Sequence, residues 1–372
     1  MGFINSGKRK RNANIELIRI ISMLMIISVH AMYKGDILLS LDNPTATVVS
    51  SWILECIGVN GLNLFMLITG YLMVKSDFKI GRLLEIIAQV MFYSVSVWLV
   101  LVAFGKHYST YEVLRVIFPI HHNVYWFCTA YVLLYLLSPV LRAGIQNMTK
   151  AQLGAAIVIL LIFECAFKTL LPVRLTEDEM GYDLIWFLVM FLIAAYIRLY
   201  GISFLEKPLK AYVIHLICVV MMFLWQFIIV TVNARTGRLE DLIGVSLEHN
   251  HIFLLLSSVS LFMAIINAPC IEGVWAKIIC FFAPFSFGVY LLHEHGLIRY
   301  EWPHWIGLER LSGAPWYLFV PVVIGVSVLV YLTGSVVDYL RGFIFSGVKK
   351  MFNASKLTAL LKKLDGDVKG VQ

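Results

Sequence analysis

Arg19 and His30 lie eleven residues apart in one apolar run. Eleven residues make about three α-helical turns, so a helix there carries both side chains on one face, roughly 16 Å apart along its axis. A fixed guanidinium at one end and a titratable imidazole at the other suit a ligand that stretches between them, with an anionic group on the cation and a proton moved at the imidazole. Each residue also has an ordinary reading. Arg19 can snorkel to an interface or pair with Glu16 one turn earlier, and His30 can hydrogen-bond a neighbouring helix. Glu55, His293, Glu294 and His295 fall in comparable runs at a similar expected depth. A carboxylate beside an imidazole orients it, holds one tautomer and raises its basicity. Spacing does not say whether Glu55 or Glu294 does this, and both also read as interhelical hydrogen-bonding groups.

The remaining candidates carry less chemistry. His107, His121, His122, His249, His251 and His304 are expected in loops, and neither His121–His122 nor His249-x-His251 has the spacing of a standard metal site, so solvated histidines and no metal are expected. Trp302, Trp305 and Trp316 suit sugar stacking, but tryptophans are expected at a membrane interface in any case. Lys75, Lys79 and Arg82 form a basic patch that can neutralise phosphates or mark the inner side of a membrane. Six cysteines sit in or beside apolar runs without C-x-x-C spacing, which reads as packing and not as a disulfide or metal framework.

The elements that must position these groups are membrane helices. The 372-residue chain is 60% hydrophobic and 14% charged, whereas a soluble domain is about a quarter charged. Ten runs approach the roughly 20 residues needed to cross a bilayer: 14–33, 46–73, 83–105, 125–145, 151–171, 182–200, 210–231, 250–268, 274–298 and 315–340. The expected fold is an all-α integral membrane protein of about ten transmembrane helices. The second run carries Gly58, Asn60, Gly61 and Asn63 and is expected to kink or partly unwind. On this topology 21 of the 30 basic residues fall on one side, placing both termini in the cytoplasm. The net charge of +7 is thus a topology signal and gives no support to nucleic-acid binding. Arg19 and the length of the first run make it a retained helix and not a cleaved signal peptide. Residues 1–345 form the transmembrane domain. Residues 346–372 read as a basic cytoplasmic tail, with Leu357, Leu360, Leu361 and Leu364 at amphipathic spacing for the inner leaflet, or as a solvated end.

Four stretches in order resemble acyltransferase family 3, bacterial membrane enzymes that acylate surface glycans and related acceptors. Asn14-Ile-Glu-Leu-Ile-Arg19 continuing to His30 is similar to its arginine-x10-histidine opening helix, and Gly61 to Tyr71 to its second-helix segment. Val124-Tyr125-Trp126-Phe127 resembles its Trp-Phe motif, and Phe285 to Glu294 its late F-G-x-Y-L-x-H segment. Thr69 stands where the family usually has serine, and the arginine-rich stretch before the third helix is reduced to Lys79 and Arg82.

The resemblance implies no tightly bound cofactor, and an acyl-CoA co-substrate, usually acetyl-CoA, arriving from the cytoplasm. Arg19, with Lys79 and Arg82, would hold its nucleotide end. His30 would act as general base on an acceptor hydroxyl, with Glu294 as the second catalytic candidate; an acyl-histidine intermediate is a variant. Tyr71, Trp126 and Tyr290 are oxyanion candidates by family position, and His293 and Glu55 join them as substrate-contacting candidates. The acceptor is expected to be a capsular, exopolysaccharide or lipid-linked sugar. Many members carry a fused extracytoplasmic esterase-like domain, so the expectation here is direct acylation or transfer to a separate extracytoplasmic partner. A transporter or flippase for a lipid-linked glycan or small anion would use the same residue types, but no internal inverted repeat is visible. A glycan polymerase would need larger outer loops than these.

Overall fold

The computed structural model describes residues 11–38, 41, 44–170, 179–352 and 365, and no strand occurs among them. Nine helical segments there are long and apolar enough to cross a membrane, and Leu184–Tyr200 is a shorter apolar helix. The helices run in chain order as α1 (Ala13–Lys34), α2 (Ala46–Gly58), α3 (Asn60–Met73), α4 (Ile80–Ala103), the short α5 (Thr110–Ile117) and α6 (Trp126–Gln146). They continue as α7 (Lys150–Leu161), α8 (Phe167–Leu170), α9 (Leu184–Tyr200), α10 (Pro208–Thr236) and α11 (Ile252–Ile266). Finally come α12 (Gly273–Phe282), α13 (Ser286–His293), α14 (Trp302–Trp305) and α15 (Trp316–Phe352). Of the expected tail, residues 346–352 continue α15 and Asp365 is described; the rest lies outside the described residues.

The central element is α1, which packs on α2, α3, α11, α12, α13 and α15. It starts at Asn12, whose side chain accepts from the Asn14 N–H at 2.9 Å. Asn14 itself is buried and ties the start of α1 to the α11–α12 connection. Its amide donates to the carbonyls of Ile265 and Ala268, both at 3.0 Å, and its Oδ1 accepts from the Ile271 N–H at 3.0 Å.

The expected unwinding of the second run is not seen. The helix breaks for a single residue, Val59, which keeps right-handed helical angles. Gly58 and Gly61 instead permit close packing: a Cβ on Gly58 would lie 2.6 Å from Val29 Cγ2, and one on Gly61 2.6 Å from the Ser22 carbonyl of α1. In α6, Pro139 supplies no N–H to the Tyr135 carbonyl, and Ser138 Oγ donates to that oxygen at 2.7 Å instead. Between α7 and α8, a π-turn at Ile162–Ala166 shifts the helical phase. Lys168 beyond it is buried and pairs with Glu248 and, at 2.8 Å, with Asn250 Oδ1.

Asp338 of α15 is a buried carboxylate that the sequence reading missed. It accepts from Gln89 Nε2 at 3.0 Å, Tyr93 Oη at 2.9 Å and Arg341 Nε at 2.7 Å. The same carboxylate rests over Gly288 of α13, where any Cβ would collide with it. Helices α4, α13 and α15 are therefore locked together one and a half turns from His293.

Candidate active site

The end of α1 and the end of α13 bring the central residues together. His30 Nδ1 lies 3.1 Å from His293 Nε2 and 3.1 Å from Glu294 Oε2. His293 Nδ1 lies 2.7 Å from the Val289 carbonyl, an atom that only accepts, so this nitrogen carries the proton. His293 Nε2 is therefore a lone pair. His30 Nδ1, facing that lone pair and a carboxylate oxygen, must be the donor to them. The remaining nitrogen of a neutral His30, Nε2, is then the basic one. The His30 side chain is about a fifth exposed (22%), whereas His293 and Glu294 are buried.

Glu294 is thus the carboxylate that touches His30. It also pairs with Lys34, one turn beyond His30 on α1, and with Arg299 Nη1 at 3.4 Å. Glu55 reaches the same depth, because Gly58 one turn away packs on Ser28 and Val29, but its Oε2 has no hydrogen-bond partner among the described residues. His295 is separate from the cluster. Its Nε2 donates to the Ser94 carbonyl at 3.1 Å and its Nδ1 accepts from the Leu297 N–H at 3.1 Å, which fixes a neutral ring against α4. Burial pushes its pKa down to about 4.

The other predicted residues divide between the two ends of the bundle. Trp126 opens α6 near the His30 end, with Tyr182 4.8 Å and Phe187 6.1 Å from its ring. Desolvation, then Glu55 and more weakly Tyr33, Glu248 and Glu294, push the Tyr182 phenol up to about 12, so it remains a donor. Tyr290 is buried one turn before Glu294, its ring 6.1 Å from that of His293, and its hydroxyl has no partner among the described residues. Tyr71 lies toward the opposite end, where its hydroxyl accepts from Arg198 Nη1 at 2.8 Å. Arg19 pairs with Glu16 at 3.3 Å and shares the surroundings of Tyr131 with Arg82. Lys79 and Arg82 are exposed, and the Lys79 backbone is held by Tyr135 Oη on both its N–H and its carbonyl.

Several loop expectations need correction. His249 and His251 are buried and not solvated, because the 244–251 segment folds inward. The His249 N–H donates to the Met180 carbonyl at 3.0 Å and its carbonyl accepts from Asn63 Nδ2 at 2.9 Å. Trp302 is buried against His293, with ring centres 6.4 Å apart, and is no interfacial anchor. Cys270 is exposed, while Cys56, Cys128, Cys165 and Cys218 are buried thiols.

Sequence reasoning missed Lys34 and Arg299. Lys34 could have been found from its i+4 spacing to His30 on a helix; Arg299, in a connection after α13, left no such signal. One ligand atom from each of His30, His293 and Glu294 lies within 4.8 Å of the others, a span a metal ion could bridge. The ammonium of Lys34 and the guanidinium of Arg299 already engage that carboxylate and would repel a divalent cation there.

Comparison with curated proteins and with solved structures returned no match. A family model described as an acyltransferase domain matches residues 12–334, which include α1 with Arg19 and His30 and α13 with the residues that contact His30. By that match over most of its length, this multi-pass membrane protein belongs to acyltransferase family 3.

Proposed function

We propose that the protein is an acyl-CoA-dependent O-acyltransferase of a bacterial inner membrane, with both termini cytoplasmic, that acylates a hydroxyl of a cell-surface or lipid-linked glycan. The observation that carries this reading is the hydrogen-bond chain from the Val289 carbonyl through His293 to His30 and Glu294. It presents His30 Nε2 as a base, with a buried carboxylate to receive the charge that develops. In the reaction, acceptor oxygen attacks the thioester carbonyl while its proton passes to His30 Nε2. The tetrahedral intermediate collapses, the carbon–sulfur bond breaks, and His30 passes the proton to the departing coenzyme A thiolate. A positioned base of this kind contributes about 10²–10⁴-fold.

The Tyr290 hydroxyl, buried and unpartnered one turn from Glu294, is the donor best placed to meet the oxyanion. Tyr71 is committed to Arg198 at the other end, which weakens its case for that role. At the Arg19 end, Arg19, Arg82 and Lys79 supply positive charge for the nucleotide of the donor. One unbroken helix, α1, spans the roughly 16 Å between the two stations.

The test is mass spectrometry of surface glycans from cells expressing wild-type protein or His30→Ala at matched levels, together with acetyl-CoA hydrolysis by the purified proteins. Loss of an alkali-labile acyl group and of hydrolysis in the variant is the expected result. Glycans acylated as before but reduced in amount at the surface would favour a transporter and overturn the assignment.

A further inference from the structure

Lys34 and Arg299 both pair with Glu294, which leaves one positive charge in excess over the groups in direct contact. The two imidazoles of the cluster add no negative charge to offset it. Arg299 is also under-used as a donor. Of its five N–H bonds, one reaches Glu294, at the long distance of 3.4 Å, and its Nε–H is buried without a partner among the described residues. A buried guanidinium N–H left without an acceptor is costly. Lys34 and Arg299 sit 5.7 and 5.2 Å from the ring of Tyr300, whose face attracts cations but carries no net negative charge. The Arg299 side chain is 27% exposed and its backbone N–H is anchored to the His295 carbonyl at 2.9 Å, so it is both reachable and held in place.

We propose that Arg299, with Lys34 behind it, binds an anionic group, a carboxylate or a phosphate, carried by the acceptor close to the hydroxyl that is acylated. This rests on the reading of His30 as the base, since Glu294 links the two functions. Glu294 orients His30 through one oxygen and Arg299 through the other, and the anion completes the guanidinium from its open side. Planar N–H pairs of arginine match the oxygens of carboxylates and phosphates, and they give more orientation than a lysine would. The acceptor class is thereby narrowed to acidic sugars or phosphate-bearing glycans.

The experiment measures binding apart from transfer, using full-length protein in nanodiscs. The probes are methyl glucuronide for a carboxylate, glucose 6-phosphate for a phosphate and methyl glucoside as the neutral control. Calorimetry is expected to show at least about tenfold tighter binding of one anionic probe than of the neutral sugar, the equivalent of one charge-assisted hydrogen bond. His30→Ala should keep the preference for the anionic probe. Arg299→Gln should lose the preference, and Arg299→Lys should keep part of it. The stronger anionic probe identifies the source as uronate or phosphate. Equal binding of all three probes, or an unchanged preference in a folded Arg299→Gln or Arg299→Lys protein, overturns the proposal. Displacement of the probes by phosphatidylglycerol in the disc would make the occupant a lipid headgroup and overturn the acceptor assignment. Probe binding that follows this pattern while the wild-type protein transfers no acyl group would instead sink the enzymatic reading alone.

Discussion

Replacing Glu294 with glutamine tests the catalytic cluster most directly, because the change is nearly isosteric and removes only charge and acceptor capacity. In the proposed transfer His30 would become an imidazolium 3.1 Å from the Glu294 carboxylate. With an effective dielectric constant of about 20, that attraction amounts to about 5 kcal/mol, or roughly four decades in rate. The glutamine cannot reproduce it in either orientation. With its oxygen toward His30 and Lys34, which share one carboxylate oxygen, its NH₂ group faces the guanidinium of Arg299. With its NH₂ toward His30, the Nδ1 proton has no room, and two lone pairs then meet between His30 and His293. Turnover in Glu294→Gln is therefore expected to fall about 10²–10⁴-fold. Loss of a buried ion pair should also destabilise the fold by about 3–5 kcal/mol. The two effects separate in the double variant Lys34→Met with Glu294→Gln, which removes an orphaned cation. The assay is thiol release from acetyl-CoA by protein in nanodiscs, alongside thermal unfolding. The double variant should recover much of the stability and little of the rate. A single variant turning over within about threefold of wild type would refute the reasoning. So would a double variant that regained rate and stability together, since Glu294 would then be a structural counter-ion.

Three further outcomes are expected. Tyr290→Phe should lower kcat by about 10²–10³-fold with little change in KM for acyl-CoA; an unchanged kcat would remove Tyr290 from the oxyanion site. Gly288→Ala forces a methyl group into the Asp338 carboxylate and should cost about 1–3 kcal/mol in thermal unfolding, with a fall in activity because α13 carries His293. Wild-type stability in that variant would show that the helices can part without consequence. His295 is held neutral in the fold with a pKa near 4, below the ordinary histidine value. Its stabilising contribution is therefore complete above about pH 6.5 and declines as pH falls toward 4, at up to about 1.4 kcal/mol per pH unit. Chemical unfolding of wild type and His295→Gln across that range should show a shallower acid slope in the variant.

Much of the architecture was legible because hydropathy reads the lipid-facing surface of a bundle. The boundaries of α1 and of the joined α2 and α3 fall within a residue of the expected runs. The ninth run was drawn too long, since α13 stops at His293 and the chain turns through 294–301 before α14. The Arg19–His30 pair was legible for a different reason: a helix period applied to two polar residues places them on one face without tertiary information. What joins one helix to another carried no comparable signal. Arg299 acts from an irregular connection, and Lys168 is turned inward after a π-turn that no residue pattern announces. Asp338 could have been suspected as a carboxylate inside the last run, but its partners Gln89 and Tyr93 come from a helix nearly 250 positions earlier. Spacing left open whether Glu55 or Glu294 touches His30, because both fall at a similar depth in their runs.

Because one uninterrupted helix carries both Arg19 and His30, α1 works as a gauge whose length and phase cannot be changed independently. Inserting a single residue between the two stations lengthens the gauge by about 1.5 Å but swings His30 by roughly 100°, away from Glu294. Inserting seven adds roughly 10 Å while turning it by only about 20°. The spacing is thus quantised: reach along the bundle can be altered only by insertions that complete nearly whole turns, such as about seven or about eleven residues. Between the two stations, substitutions are tolerated far more readily than insertions or deletions.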